Sequence, residues 1–517
     1  MKNCPQCRRN YTDERLNFCL EDGTLLVENS LSNFPTLNLP QQFLDEPATK
    51  RFQKQNAENE APSIAVLPFA NMSSDTENEY FCEGLAEELI NALAKIQGLK
   101  VAARTSAFSF KHKTIKASEI GRALNVKTIL EGSVRKSGNK LRITVQLVNA
   151  ADGYHLWSER YEREMQDIFD VQDEITLAVT DALKVKLLGE EKTSVLKRYT
   201  DNIKAYQLYL WGRFHAKRFE PDSFQEAISC YQEAITVDSD YAPAYAGLAD
   251  AYTIASFSVF APNEALPKAK EAAKKALEID DELADAHTSL AIIEMYYDRN
   301  WVNAEREFKR AIELNTGDAS AHNWYGWFLG LMGRFGESMI ELKLAQTLDP
   351  LSSQINTAIG NLYYWMRQPE FAIEEYRKVR KITPNYNIVR PFLGEAYIQK
   401  GDLHAALTEF QESWEATEDT IILALMGYAQ AVAGEHGKAK ETLESLKRLS
   451  AARYIAPFEL AIIYAGFGDK DQAFEWLEKA YQEHSVWLPW LRVDPKFDDL
   501  RSDPRFLDLL RRIGLQQ

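Results

Sequence analysis

Several things are scarce in this chain of 517 residues. Cysteine is one: there are five, an odd number, and Cys4, Cys7 and Cys19 crowd the amino terminus. That pattern excludes the disulfide framework of a small secreted domain and favours metal ligation in a reducing compartment. Positive charge is in deficit, with 60 Lys and Arg against 76 Asp and Glu and a net charge of -16. A chain of that sign does not bind nucleic acid or anionic lipid through its overall field, so nucleic acid is not an expected partner. Long apolar runs are missing too. The longest mostly apolar stretch, from Ile421 to Gly434, falls short of the roughly 18 to 20 residues that cross a bilayer. The opening Met-Lys-Asn-Cys-Pro has no apolar core of the secretory kind, and a cytoplasmic protein without a membrane segment is expected. The 8 histidines are scattered. No P-loop, no kinase catalytic signature, no glycine-rich dinucleotide fingerprint and no local Ser-His-acid motif is present, so an enzyme is not expected.

What remains is a foldable chain, 45% hydrophobic and 26% charged, too long for one ordinary core. Its strongest signal is periodic. Gly326, Gly360, Gly394, Gly427 and Ala461 are spaced 34, 34, 33 and 34 residues apart. Twelve residues after each stands a second small residue: Ser338, Ala372, Ala406, Ala439 and Ala473. Four further on are Leu342, Tyr376, Phe410, Leu443 and Leu477. Small and bulky positions at helical spacing predict helical hairpins in which the second helix passes close to the first. A looser version begins upstream with Ala227, Tyr231 and Ala234. The pattern resembles the tetratricopeptide family over about eight repeats, residues 202–485, with 486–517 as a helical cap. The resemblance implies a superhelix that binds proteins or peptides on its concave face. Counting from the small positions, Trp327, Asn361, Tyr364, Trp365, Glu395 and Gln399 are the candidate groove residues. They are aromatic and polar, and lack the cationic set with which familiar repeats of this kind clamp a carboxylate.

Between residues 62 and 189 the periodicity shifts to alternating strands and helices, an α/β class. A strand at Ser63–Phe69, a helix from Glu79, a second strand near Val101 and a short helix from Ala117 precede two strands joined at Ser137-Gly138-Asn139 and a third after Asp152-Gly153. A helix over 167–188 closes the unit. The stretches IAVLPFANMSSDTENEYFCEGLAEELINAL and LEGSVRKSGNKLRITVQLVNAADGYHLWSERYER resemble the TolB-like domain often joined to tetratricopeptide repeats. In bacterial signalling proteins that domain accompanies cyclase, kinase or DNA-binding modules, which implies a sensor or docking role. From Lys100 to Arg142 there are eleven basic residues and two acids. Arg104, Lys111, Lys113, Arg135 and Lys140 form a candidate anion patch, against the alternative of charges spread over solvated faces and paired with the acid-rich segment after Glu159.

At the amino terminus Cys4, Cys7, Cys19 and Asp22 follow a C-x2-C-x11-C-x2-D spacing that resembles a zinc-ribbon knuckle, residues 1–26, with Asp22 where a fourth cysteine is usual. A structural zinc on the three thiolates is expected, with Asp22 either the fourth ligand or part of a turn, against the alternative of a degenerate knuckle that no longer binds metal. Residues 27–61, rich in Asn, Gln, Ser and Pro, read as a flexible linker. The expected whole is a multidomain chain: zinc-ribbon-like knuckle, α/β domain, then an all-α repeat array serving as a regulatory scaffold. Two other readings stay open. One is a nucleic-acid-associated regulator using the knuckle and the basic patch; the other is a divergent signalling enzyme related to cyclase-linked proteins.

Overall fold

A computed structural model describes the backbone at residues 2–3, 10–11 and 27–28, and residues 61–515 apart from positions 74, 76, 77, 186, 188, 219, 220, 258, 385 and 452. The chain divides into two compact units, 1–59 and 60–517. In the first, strands β1 (Lys2–Asn3), β2 (Asn10–Tyr11) and β3 (Val27–Glu28) form a small antiparallel sheet in the order β2-β1-β3. Cys4, Cys7, Cys19 and Asp22 lie outside the described residues.

The second unit opens with a sheet. β4 (Ser63–Val66) is fully buried and pairs in parallel with β6 (Lys100–Val101) on one side and β7 (Thr128–Ser137) on the other, and the short β5 (Ala70–Asn71) also pairs with β7. From β7 the sheet continues antiparallel through β8 (Lys140–Asn149) to β9 (His155–Glu164) at the edge. The turn between β7 and β8 holds Gly138 at φ +59°, a conformation that glycine takes without penalty. Helices α1 (Glu79–Ala94), α2 (Arg104–Phe108), α3 (Ala117–Leu124) and α4 (Ile168–Ala182) complete the layer. The helix expected over 167–188 ends earlier. Lys184 turns left-handed at φ 57°, Val185 donates back to the Thr180 carbonyl, and a separate helix α5 (Gly189–Val195) follows. This strand-containing region leads directly into the helical array.

Eight helical hairpins follow among the described residues: α6 (Ile203–Ala216) with α7 (Pro221–Val237), α8 (Ala242–Ala255) with α9 (Pro262–Ile279), α10 (Ala284–Ile293) with α11 (Trp301–Leu314), α12 (Ala319–Leu331) with α13 (Phe335–Leu348), α14 (Ser353–Trp365) with α15 (Pro369–Ile382), α16 (Val389–Lys400) with α17 (Leu403–Thr417), α18 (Thr420–Val432) with α19 (His436–Leu449), and α20 (Pro457–Phe467) with α21 (Lys470–Gln482). The array resembles tetratricopeptide proteins. Its packing follows the spacing in the sequence. A Cβ added at Gly360 would lie 2.3 Å from the Tyr376 ring, one at Gly394 2.4 Å from Phe410, and one at Gly326 2.8 Å from Leu342. Each first helix thus gives up a side chain so that the bulky residue of the second can press on its backbone. Ser338 also donates its hydroxyl to the Gly326 carbonyl at 2.6 Å.

The α/β region is built into the array. Glu87 of α1 is buried and paired with Arg104 at 3.0 Å and with Arg213 and Lys217 of the first hairpin. Burial opposes charging the Glu87 carboxyl, but Arg213, Lys217 and Arg104 together hold it well below the usual carboxylate range. Gly84 of α1 sits against Leu210, and Tyr80 meets the edge of Trp211 at 4.4 Å. A second contact reaches the turn after α13, where the Ser106 amide and hydroxyl both donate to Asp349 and the Leu351 amide donates to Ser106 Oγ at 2.8 Å. One apolar cluster runs continuously from Ile64 through the hairpins to Leu515.

Candidate functional site

The turn between the two helices of a hairpin recurs with the same geometry. Gly333, Gly401, Gly434 and Gly468 all have φ between 72° and 87°. In the fifth hairpin that place belongs to Arg367, at φ 60°. A non-glycine residue in this region carries backbone strain, which persists where the surroundings hold it. Here the guanidinium is held by the segment after the last hairpin: Arg367 Nη1 donates to the Val493 carbonyl at 2.6 Å, and Nη2 lies 2.6 Å from the Asp498 carboxylate.

That segment is the central feature of the site. Residues 486–515 carry two short 3-10 helices, Leu488–Arg492 and Pro495–Leu500, and the helix α22 (Pro504–Arg512). Trp490 packs against Trp327 at 5.3 Å, Trp365 at 5.6 Å and Trp487 at 5.2 Å, and is stacked with Phe392 at 6.4 Å. Trp327 and Trp365 are themselves 4.9 Å apart. Aromatic clusters of this kind bury large apolar areas and hold defined edge-to-face geometry. Lys496 is buried between Glu395 and Asp494, 2.7 Å from the latter, and Tyr364 donates toward Asp494 at 3.4 Å. Burial opposes its charge, yet Asp494 and Glu395 together raise the Lys496 ammonium above its ordinary range, while burial pushes the Glu395 carboxyl upward. Further along, Phe497 meets Phe458 at 5.4 Å, Arg505 pairs with Asp471 at 2.8 Å, and the Ile513 carbonyl accepts from Trp301 Nε1 at 2.7 Å. One segment therefore touches the third through sixth hairpins and the eighth, and Trp487 also meets Phe257 in the turn of the second at 5.9 Å.

Of the six candidate groove residues, Trp327, Tyr364, Trp365 and Glu395 meet the segment 487–496, and Asn361 and Gln399 bond within the array. Trp327 donates its indole N–H to Tyr296 and is half-buried; Tyr364, Trp365 and Glu395 are buried under the segment 487–496. Asn361 Oδ1 accepts from Tyr376 at 2.6 Å, and Gln399 donates to the Tyr364 carbonyl at 3.2 Å. Three polar atoms in this set, Asn361 Nδ2, Trp365 Nε1 and Gln399 Oε1, are buried without a hydrogen-bond partner among the described residues. The residues that fill the groove, Trp490, Asp494 and Lys496, were assigned from sequence to a cap. Their signal was present: a cap over one hairpin face has no need of the aromatic density of Trp487-Leu488-Pro489-Trp490-Leu491.

The candidate anion patch is divided between two elements. Arg104 pairs with Glu83 and Glu87, and its guanidinium lies over the Phe108 ring at 4.2 Å. Lys111 pairs with Glu79 and Glu83, both at 2.6 Å, and Lys113 stands over Phe110. Arg135 donates to the Met72 carbonyl and Lys140 is exposed, both in the β7–β8 hairpin. Among the described residues no group of three or more His, Cys, Asp or Glu could hold a metal ion, and no helix is long and apolar enough to cross a membrane. Burial pushes the Cys82 thiol up to about 12 and the Cys230 thiol up to about 11, so neither is primed as a nucleophile.

A family model for the second domain of HilA/YgeH-like transcriptional regulators matches residues 59–178, the region read from sequence as TolB-like. Over 237 residues the chain is 38% identical to a Rhizobium meliloti protein named "Putative adenylate cyclase 3", covering 45% of this chain. The chain spans only 40% of that relative's length. It is 21% identical to the transcriptional regulator HilA of Salmonella typhimurium over 447 residues, 85% of this chain and 78% of that one. Among solved structures, PilF of Pseudomonas aeruginosa aligns with a TM-score of 0.32 at 24% identity, over 43% of this chain and 96% of that one.

Where the segment enters the groove, Val486 and Trp487 share a small recess with Asp419, Thr420 and Glu459. Burial pushes the Glu459 carboxyl up to about 8, with Asp419 adding to the rise against the pull of Thr420. Its folded value lies above its unfolded one, so the folded state keeps a proton that the unfolded state releases. Stability from this group is therefore present below pH of about 4.5 and is lost as pH rises through about 8. Glu459→Gln should flatten this dependence and raise stability at about pH 9 by on the order of a few kcal/mol. Urea midpoints at about pH 5 and pH 9 that shift equally in variant and parent would contradict it.

Proposed function

We propose that the chain is a non-enzymatic scaffold whose repeat array holds segments of polypeptide in its groove, and that residues 486–515 are a resident occupant that a partner displaces. The observation that carries this reading is the seating of Trp490 and Lys496. An aromatic anchor enters a box of Trp327, Trp365 and Phe392 while a buried cation meets Glu395, which is how a groove of this composition would take an external peptide. Asn361, Trp365 and Gln399 retain unused polar atoms there, so an incoming segment has hydrogen bonds to gain that the resident one does not make. The partner fitted to this groove is a protein segment with a large aromatic residue followed by a cation. In this reading the α/β region, locked to the first hairpin through Glu87, is the sensor or docking module.

A labelled synthetic peptide of residues 486–515 tests it. Trp490→Ala in the full chain should weaken the resident contact by about 3–5 kcal/mol and open the groove to the peptide, while the parent chain binds it far more weakly. The variant must keep its helical circular dichroism. Equal binding by the two folded proteins would reject displacement.

The knuckle belongs to the same proposal as a structural element, with Cys4, Cys7 and Cys19 on zinc and Asp22 as the fourth ligand. Metal analysis of the purified full chain should find about one zinc per molecule, as the ligand spacing implies. Protein purified without chelator and containing no zinc would remove this element.

A second reading draws on the HilA-like matches: a component of transcriptional regulation that touches nucleic acid through Arg135 and Lys140. It predicts salt-dependent retention on DNA that is lost in Arg135→Glu/Lys140→Glu. Retention unchanged by the reversal, or absent at low salt, leaves the scaffold reading alone.

A further inference from the structure

The edge of the α/β sheet carries a feature that the groove does not use. β9 is ten residues long and lies at the end of the strand order. Among the described residues no strand pairs with its outer side. Of its residues only Tyr161 is buried and Trp157 half-buried. Long exposed edges are normally blunted by charged side chains, proline or a bulge in mid-strand, and β9 has only the first of these in mid-strand, with charges of both signs. β9 has no proline, glycine or lysine, and its one irregularity lies near its start, opposite Leu147/Val148.

The ladder shows which backbone groups point outward. Met165 donates its N–H to the Asn139 carbonyl, and the register pairs Leu141 with Arg163 and Ile143 with Tyr161. In an antiparallel pair the direction of the amides alternates, so those of Arg160, Glu162 and Glu164 point away from β8. Two side chains confirm the alternation. The Glu164 N–H is taken by Asp167 at 3.2 Å, and the Glu162 carbonyl accepts from Arg163 at 3.1 Å.

The five residues Glu159-Arg160-Tyr161-Glu162-Arg163 have a charge order that complements itself when read in the opposite direction. We propose that β9 is the interface for a second copy of this chain, pairing antiparallel across a two-fold axis that passes through Tyr161. In that register Arg160 exchanges both backbone hydrogen bonds with the partner's Glu162, and Glu159 faces the partner's Arg163. Each of the four charges in Glu159–Arg163 then meets its opposite, and Glu164 faces the partner's Ser158. A slide to either neighbouring register that keeps the outward amides in line sets Arg160 against its own copy, or Glu162 against its own copy, and like charges directly opposite are unfavourable. A one-residue slip places outward amides against inward ones and breaks the ladder. The interface is isologous and closes at two, giving one sheet continuous through both protomers. The side chains involved are accessible and would exchange partners: Arg160 and Glu162 are more than half exposed, with Glu162 paired to Arg142 at 3.0 Å, and Arg163 is 43% exposed and paired to Glu174 at 3.2 Å.

Sedimentation of the full chain over a concentration series at low ionic strength tests this. The parent should show a concentration-dependent dimer that weakens with salt. Arg160→Glu/Arg163→Glu makes all four charges negative and should be monomeric; Glu159→Arg/Glu162→Arg makes them all positive and should also be monomeric. Mixed in equal amounts, the two variants should form a heterodimer. A parent that stays monomeric, reversed variants that dimerise like the parent, or a mixture that does not associate would each overturn the proposal. Should a variant lose its native circular dichroism, hydrogen exchange on the parent decides. The amides of Arg160 and Glu162 must become protected as concentration rises, and exchange independent of concentration rejects the interface.

Discussion

A bulky side chain pressed onto a residue that has almost none is the constraint on which this architecture rests. Tyr376 on Gly360, Phe410 on Gly394 and Leu342 on Gly326 set how closely each hairpin closes, and repetition of one geometry is what bends an array. The bend puts the third hairpin and the eighth within reach of a single segment, so that Trp301 binds the Ile513 carbonyl while Arg505 of the same stretch binds Asp471. Without that curvature the aromatic cluster around Trp490 would have no second wall.

The junction with the α/β region obeys a different logic. Glu87 is deeply buried and would be costly there unpaired; three cations from two parts of the chain compensate it. Buried ion pairs add little to stability relative to well-packed apolar side chains, but they tolerate few alternative arrangements. With the Ser106 to Asp349 contact at a distant turn, the region is fixed at two points along the array. A domain so attached is packed on the hairpins at both places and is not joined to them by a linker alone.

The repeats were legible because their constraint is local. A small residue, another twelve on and a bulky one four beyond that report helix contacts within one hairpin, and the strands of the sheet likewise followed from alternation and from turn residues such as Gly138. The candidate groove residues were chosen from the same register. Their occupant could not, since Trp490 meets Trp327 and Trp365 across more than a hundred residues and no spacing rule links them. Arg367 illustrates the difference. Its position in the repeat marks a left-handed turn where glycine is usual, but only the fold shows that its guanidinium holds the Val493 carbonyl. The basic stretch from Lys100 to Arg142 was visible as composition, whereas the acids of α1 that absorb Arg104 and Lys111 lie earlier in sequence and were not counted with it.

The groove's resident segment follows in sequence every hairpin that it touches. During synthesis the third to sixth hairpins are therefore complete before Trp490 and Lys496 have been translated. On the displacement reading proposed above, hairpins that fold as they emerge would leave the site formed by Trp327, Trp365 and Phe392 uncovered for that interval, without any need for a signal to vacate it. A partner made at the same time and place would meet the groove before its own chain can close it, and order of arrival, as well as affinity, would then decide which segment is held.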